Sequence, residues 1–194
     1  MKSSTKILVF GASSSKIAKT FAADAYLLGQ LIAQKDWACV NGAGRDGLMR
    51  AVSDGVLDNG GEAIGVIPQF MIDNKWNYER LTSTIATADM HQRKEKMADL
   101  ADAIVALPGG CGTWEELFEA FTWRQLNIMS KPIVLLNTSG YYDPIVDMIK
   151  RSIDEGFMKP SHAKLLTVAK TPQEAIAAIE KEFEHGVTHA ESKY

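Results

Sequence analysis

The chain has 194 residues, of which 46% are hydrophobic and 23% charged, a size and composition that suit one globular domain and argue against disorder. Its formal net charge of −3 argues against a nucleic-acid partner held through its phosphates, but it allows a small phosphate ligand. The two cysteines are too few for a disulfide framework, and no zinc-ligand spacing is present, so we predict no metal site. No apolar run suits a signal peptide or a membrane span, so we predict a cytoplasmic protein with no membrane partner.

Short apolar runs alternate with longer helical patterns along the chain. In chain order, the predicted elements are strand Lys6–Phe10, helix Ile17–Gln34, strand Ala38–Asn41, helix Leu48–Asp58, strand Ala63–Ile67, strand Leu81–Ala86, helix Met90–Leu100, strand Ala103–Leu107, helix Thr113–Leu126, strand Pro132–Leu136, helix Asp143–Glu155, strand Leu166–Val168 and helix Pro172–His185. Residues 69–78 show no clear period and are predicted to be irregular.

This alternation implies parallel βαβ units. The predicted fold is α/β, with a Rossmann-like doubly wound parallel sheet in a three-layer sandwich. We expect residues 1–186 to form a single domain and residues 187–194 to form a polar tail. Ligands of such folds bind beyond the carboxyl ends of the strands, which directs attention to the turns at that edge.

Three small-residue turns follow predicted strands at this edge. The sequence PGGCGT at Pro108–Thr113 lies between a strand and a helix, where glycines and free helix N–H groups suit an anion. Taken alone, this loop is equally well explained as a tight turn. Two further turns favour the binding of a nucleotide or sugar phosphate. The predicted phosphate contacts are Gly11, Ser13, Ser14, Gly42, Gly44, Gly109, Gly110, Cys111, Gly112 and Thr113.

The run Thr113-Trp114-Glu115-Glu116 has two interpretations. Thr113 and Glu116 have the spacing of a capping box, in which the Glu side chain accepts a hydrogen bond from the N-cap amide. Alternatively, Glu116 is a carboxylate close to a bound sugar phosphate, where it stabilises positive charge on the ribose or activates water. The sequence alone leaves both interpretations open.

Arg93 and Lys94 open a predicted helix and also have two interpretations. Adjacent basic residues usually belong to a solvated face. Arg93, however, lies one turn from Met97, so it shares a face with a predicted core residue. A buried Arg needs an anionic partner, and a phosphate or a carboxylate would serve.

Several motifs together resemble a known family. They are D-M-H-Q-R-K at Asp89–Lys94, P-G-G-x-G-T-x-x-E at Pro108–Glu116, T-W-x-Q-L at Thr122–Leu126, K-P-I-V-L-L-N-x-x-G-Y-Y at Lys131–Tyr142 and E-G-F at Glu155–Phe157. They resemble the LOG family, whose members are cytokinin riboside 5′-monophosphate phosphoribohydrolases often mislabelled as lysine decarboxylases. The decarboxylase label implies pyridoxal chemistry, and nothing in the sequence marks a Schiff-base lysine with a cofactor cradle.

The resemblance extends from about Lys6 to Glu182. It implies a dimeric Rossmann-like enzyme, without metal or redox cofactor, that hydrolyses the N-glycosidic bond of an adenine-type nucleotide. It also implies that Arg93 and Glu116 are catalytic and that the loop from Gly109 to Thr113 binds phosphate. Motif residues predicted as further substrate contacts are Lys94, Glu115 and Thr122.

The sequence departs from the family pattern in two places. The family's G-G-G turn reads Gly42-Ala43-Gly44, which adds one Cβ atom to the turn. Residues 69–87 do not match, although relatives have a substrate-contacting Glu in that region. The residues that recognise the base are therefore not assigned from the sequence.

Two functional hypotheses follow. The first is a homodimeric hydrolase that cleaves the base–ribose bond of a nucleoside 5′-monophosphate, of the AMP or cytokinin riboside monophosphate type, and releases free base and ribose 5-phosphate. The second is a nucleotide or cofactor carrier of the same fold that performs no turnover. The presence of both Arg93 and Glu116 favours the hydrolase.

Overall fold

The computed structural model describes residues 5–189, and these residues contain one sheet of seven parallel strands. The sheet order is β4-β3-β2-β1-β5-β6-β7. Every neighbouring pair is parallel, with registers such as Leu8 opposite Val40 and Leu8 opposite Ile104. The strands are β1 (Lys6–Phe10), β2 (Ala38–Asn41), β3 (Ala63–Pro68), β4 (Ser83–Thr87), β5 (Ala103–Ala106), β6 (Ile133–Leu136) and β7 (Thr167–Ala169).

Helices cover both faces of this sheet. They are α1 (Lys19–Gln34), α2 (Gly47–Leu57), α3 (Gln69–Asp73), α4 (Met90–Leu100), α5 (Cys111–Gln125), α6 (Asp143–Asp154) and α7 (Pro172–His185). Side chains alternate along each strand, so Ile7 packs with α1, α2 and α7, whereas Leu8 packs with α4 and α5. The two apolar clusters lie on opposite faces of the sheet, which confirms the predicted three-layer α/β sandwich.

The strand order reverses between β1 and β5, and this reversal places the ligand crevice. β1 continues to β2 on one side, whereas β5 continues to β6 on the other. The crossovers therefore diverge beyond the carboxyl ends of β1 and β5, which opens a crevice there. The turns after these two strands meet, because the Ala12 amide donates to the Pro108 carbonyl at 3.1 Å.

Most predicted elements lie where the sequence indicated, but two differences affect the site. The stretch predicted to be irregular contains the short helix α3, which begins directly after Pro68 and buries no residue. Helix α5 begins at Cys111 with Gly110 as its N-cap, two residues before the predicted start at Thr113. Part of the predicted polar tail, residues 190–194, lies outside the described residues.

Among residues 5–189, no helix combines the length and the apolar character that crossing a membrane requires.

Candidate active site

A cleft of about 600 Å³ lies at the carboxyl edge of the sheet, a volume within the usual range for small-molecule sites. The turns after β1, β2 and β5 form its polar side, and α3 with the segment after it forms its apolar side. Predicted site residues that line it are Gly11, Ser13, Gly42, Gly44, Arg93, Gly110, Cys111, Gly112, Thr113, Glu115 and Glu116.

The N-terminus of α5 presents free amides to this cleft. Within the part of the chain that the structure describes, the backbone N–H groups of Gly110, Cys111, Gly112 and Thr113 have no hydrogen-bond acceptor. Gly110, Cys111 and Gly112 are also exposed. Free N–H groups at a helix N-terminus, together with the positive end of the helix dipole, form an anion site.

The carbonyl groups of the same loop are all bound elsewhere. The Tyr142 hydroxyl donates to the Leu107 carbonyl at 2.6 Å, and the Tyr141 hydroxyl donates to the Gly109 carbonyl. The Pro108 carbonyl accepts from the Ala12 amide. The loop therefore directs its acceptors toward protein donors and leaves its N–H groups for a ligand.

Arg93 and Glu116 form a nearly buried ion pair at the floor of the cleft. Arg93 Nη1 lies 2.8 Å from Glu116 Oε1, and the two side chains are 7% and 11% exposed. Arg93 Nε also donates to the Val66 carbonyl at 3.1 Å, which ties the guanidinium to β3. This geometry confirms that Arg93 faces inward with an anionic partner, and it fixes the position of the Glu116 carboxylate.

The capping-box interpretation of Glu116 is wrong. Because α5 begins at Cys111, Thr113 lies inside the first turn and is not the N-cap residue. Glu116 accepts a hydrogen bond from Arg93, not from the backbone at the start of the helix. The carboxylate is therefore free of a capping role.

Burial governs the ionisation of Glu116. Removal of the carboxylate from water raises its pKa, and the charge and hydrogen bond of Arg93 offset only part of that rise. The resulting pKa lies above the ordinary value of 4.5 for a glutamate. A buried carboxylate with a shifted pKa is the kind of group that active sites use for acid–base or electrostatic roles.

The turn after β2 makes room for the Arg93 guanidinium. A Cβ atom on Gly42 would lie 1.8 Å from Arg93 Nη2, so only glycine fits there. The next residue, Ala43, has a φ of 58°, in the left-handed region that favours glycine. The Gly42-Ala43-Gly44 departure therefore places the extra Cβ atom at a strained position, while the glycine that contacts Arg93 is retained.

The segment after α3 closes the apolar side of the cleft. Trp76 is 47% exposed and packs edge-to-face on Phe70, with ring centroids 6.4 Å apart. Its backbone carbonyl accepts from the Arg45 amide at 3.1 Å, and the Tyr78 amide donates to the Ala43 carbonyl at 2.9 Å. An antiparallel bridge between Gly44 and Asn77 completes this join of residues 76–78 to residues 43–45.

Four predicted contacts lie outside the cleft. Lys94 pairs with Glu115 and, at 3.1 Å, with Glu119. Adjacent residues of a helix point about 100° apart, so Lys94 faces away from the cleft that its neighbour Arg93 faces. The Thr122 hydroxyl donates to the Phe118 carbonyl one turn earlier in α5. The other two are Gly109, which packs on Thr113, and Ser14, which bonds the Lys16 amide.

The cleft also contains residues that the sequence did not identify. They are Ala12, Arg45, Asp46, Met49, Ile67, Met71, Trp76 and Met90. Arg45 is an exposed cation beside the glycine turn, and the sequence signal for it was its place inside the loop GAGRDG. Met71 and Trp76 come from the stretch without periodicity, so no pattern marked them.

A family model described as "Possible lysine decarboxylase" matches residues 49–179, more than half of the chain. A cytokinin riboside 5′-monophosphate phosphoribohydrolase of Arabidopsis thaliana is 40% identical over 176 residues, covering 91% of this chain and 81% of that protein. The chain belongs to the LOG family. A second Arabidopsis thaliana phosphoribohydrolase of the same name is 39% identical, covering 91% of this LOG-family chain and 82% of that protein. The predicted resemblance is thereby confirmed.

Solved structures support the same fold for this LOG-family chain. The molybdenum cofactor carrier protein from Chlamydomonas reinhardtii has a TM-score of 0.73 at 26% identity, covering 94% of this chain and 99% of that protein. This likeness agrees with the Rossmann-like architecture. The identity is lower than the 39% and 40% shared with the two Arabidopsis thaliana phosphoribohydrolases.

Proposed function

We propose that this chain hydrolyses the N-glycosidic bond of a nucleoside 5′-monophosphate, of the AMP or cytokinin riboside monophosphate type, and releases free base and ribose 5-phosphate. The observation that carries the proposal is the buried Arg93–Glu116 pair in the same cleft as the free amides of the PGGCGT loop. One part of the cleft suits a phosphate, and the other supplies a fixed carboxylate. The identity of about 40% to phosphoribohydrolases supports the same enzyme class.

The phosphate subsite holds the ribose for reaction. A 5′-phosphate on the N–H groups of Gly110–Thr113 is remote from the bond that breaks, so its binding energy serves to orient the sugar. The helix dipole adds to this attraction. Arg45 also lines the cleft, where it pairs with Asp46 at 3.5 Å and donates to the Lys75 carbonyl at 2.8 Å.

Glu116 stabilises the transition state in this mechanism. As the C1′–N9 bond breaks, its electron pair leaves with the base and positive charge develops on the ribose. Water then forms a bond to C1′ and releases a proton, while the departing base gains one. Glu116 Oε1 is held by Arg93, and Oε2 has no partner among residues 5–189, so Oε2 is available to the water or to the sugar.

The base rests against the apolar side of the cleft. Met71, Trp76 and Met90 line the cleft with apolar side chains, and the backbone of Trp76 is bonded to the turn after β2. The indole of Trp76 offers an aromatic face and edge to a planar base, and the two thioethers adapt to a substituent. This surface supplies the recognition that the sequence left unassigned.

The alternative hypothesis is a carrier without turnover, and the likeness to the Chlamydomonas reinhardtii carrier protein is the observation in its favour. A carrier needs the anion site but has no use for a buried carboxylate aimed into the cleft. The Arg93–Glu116 pair therefore favours hydrolysis.

Base release tests the proposal. Purified protein is incubated with AMP, with cytokinin riboside monophosphates and with the corresponding unphosphorylated nucleosides, and free base is quantified by chromatography. We expect release from monophosphates and much less from nucleosides, because only monophosphates engage the amides of the PGGCGT loop. Release at equal efficiency from AMP and adenosine would contradict the role of that loop. Binding without release from any monophosphate would support the carrier.

We also propose that the chain forms a homodimer through α5. Trp114 and Phe118 lie one turn apart on this helix and are 38% and 40% exposed, and Ile128 beyond the helix is 69% exposed. A helix face of this kind suits burial across a two-fold axis. Sedimentation at micromolar concentration should give twice the chain mass, and Phe118→Glu should give a monomer. A monomeric wild-type protein would contradict this proposal.

A further inference from the structure

Two adjacent tyrosines bind the backbone of the PGGCGT loop and of the residue before it, on the side away from the cleft. Tyr141 and Tyr142 follow the turn after β6, and their hydroxyls donate to the carbonyls of Gly109 and Leu107. These two carbonyls flank Pro108, so the tyrosines hold the loop on both sides of its proline. Neither tyrosine lines the cleft.

The two hydrogen bonds differ in what they do to the backbone. A trans peptide unit carries its C=O and its N–H in opposite directions in one plane. The unit that contains the Gly109 carbonyl also contains the Gly110 N–H, so the bond from Tyr141 directs that N–H away from Tyr141 and toward the cleft. The unit that contains the Leu107 carbonyl ends at the nitrogen of Pro108, which has no hydrogen.

Tyr141 is itself held in place. Its ring makes edge-to-face contacts with Phe21 and Tyr142, with centroids 6.1 and 5.2 Å away. The preceding turn is fixed by Asn137, whose Oδ1 accepts from the Tyr142 amide at 2.6 Å, and by Thr138, whose hydroxyl bonds Asp24 at 2.6 Å. The donor that orients the Gly110 amide is therefore organised before a ligand arrives.

We propose that Tyr141 is a positioning residue for the phosphate subsite, acting through the Gly109–Gly110 peptide unit without contacting substrate. The proposal rests on the proposed function, because it assigns a residue to the phosphate end of that substrate. The Tyr141 hydroxyl fixes the direction of the Gly110 N–H, and hydrogen bonding at the carbonyl polarises the same unit, which strengthens its N–H as a donor.

Tyr141→Phe and Tyr142→Phe form a matched pair for the test, since each removes one hydroxyl that donates to a loop carbonyl. Only the Tyr141 variant releases a peptide unit that carries an N–H. The Kd for inorganic phosphate is measured by calorimetry on wild type and both variants, and KM and kcat for AMP are measured alongside. Melting temperatures without ligand confirm that each variant is folded.

We expect Tyr141→Phe to raise the Kd for phosphate and the KM for AMP by about tenfold, the usual scale for one lost hydrogen bond, with a smaller change in kcat. Tyr142→Phe leaves the buried Leu107 carbonyl without its donor, so it should lower the melting temperature by a few degrees and keep the Kd of wild type. If Tyr142→Phe does not fold, the amide chemical shift of Gly110 in Tyr141→Phe provides the second readout.

An unchanged Kd in Tyr141→Phe, an equal rise in both variants or an unshifted Gly110 amide would overturn the proposal. Absence of phosphate binding by the wild-type protein would overturn it as well. The phosphate measurement is independent of turnover. If the wild-type protein releases no base but binds phosphate in a Tyr141-dependent way, hydrolysis fails and the positioning role stands.

Discussion

Replacement of Glu116 by glutamine removes the negative charge from the cleft while keeping the size and shape of the side chain. In the mechanism above, this charge faces the cation that develops on the ribose. Two unit charges 4 Å apart attract by about 4 kcal/mol at the effective dielectric constant of a protein site. Since the ribose carries only part of a unit charge, we expect Glu116→Gln to reduce kcat by about 10²-fold or more.

The fold should tolerate this change. Burial raises the pKa of Glu116, so the folded state favours the protonated form more than the unfolded chain does. The stabilisation linked to this proton is fully present below the unfolded-state pKa and is lost as the pH rises through the folded-state pKa. At neutral pH this proton linkage does not support the fold, but glutamine leaves the buried Arg93 guanidinium without an anionic partner. We therefore expect Glu116→Gln to lower the free energy of unfolding by about 1–3 kcal/mol, a loss that leaves the protein folded at the assay temperature.

The assay pairs base release from AMP with the melting temperature of each protein. Glu119→Gln is the matched control, because Glu119 lies on the same helix, pairs with Lys94 at 3.1 Å and does not line the cleft. The control should keep the turnover of wild type. Turnover near that of wild type in Glu116→Gln would refute the reasoning and direct the search to Glu115, the neighbouring carboxylate of α5 that also lines the cleft.

Three further predictions concern the same cleft. The kcat should fall as the pH drops through the raised pKa of Glu116, so the midpoint of the acid limb of the pH–rate profile should lie above pH 4.5. A midpoint at or below that value would contradict the assignment of the limb to Glu116. Gly42→Ala should lower both kcat and the melting temperature, because its Cβ atom would lie 1.8 Å from Arg93 Nη2. In Gly44→Ala the new Cβ atom meets only the flexible side chain of Met49, so the effects should be milder, and equal effects of the two substitutions would contradict this explanation. Trp76→Ala should raise the KM for AMP by about tenfold without changing inhibition by ribose 5-phosphate, and a parallel loss of both would place Trp76 at the phosphate instead.

The sequence predicted the inner strands of the sheet well because they are buried on both faces and therefore read as short apolar runs. Ala103–Ala106 and Ile133–Leu136 are fully buried and stand between clear helical patterns. Helix α3 was missed because it has five residues and buries none of them, so it leaves no hydrophobic period. The start of α5 was misplaced because the glycines at its first turn do not signal a helix, although the free amides of that turn suit an anion.

The candidate site was predictable only where residue type constrains the backbone or the burial. Glycine turns after strands, and an arginine one turn from a core methionine, are such signals. Lys94 and Thr122 were drawn into the prediction by their motifs, and the structure places both on other helix faces. The places of Met71 and Trp76 in the cleft depend on how a segment without hydrophobic periodicity folds back over the edge of the sheet, and the spacing of residues in the sequence does not predict that path.

The join between residues 76–78 and residues 43–45 has a consequence for how this enzyme can diversify. The same short turn after β2 supports the segment that carries Trp76 on one side and leaves room for the Arg93 guanidinium on the other. Under the proposed function, a substitution that reshapes this segment for a different base therefore pulls on the backbone that packs against Arg93. We therefore expect base preference and turnover to be coupled, so that selection for a new base recovers the full rate only through compensating changes in the Gly42–Arg45 turn.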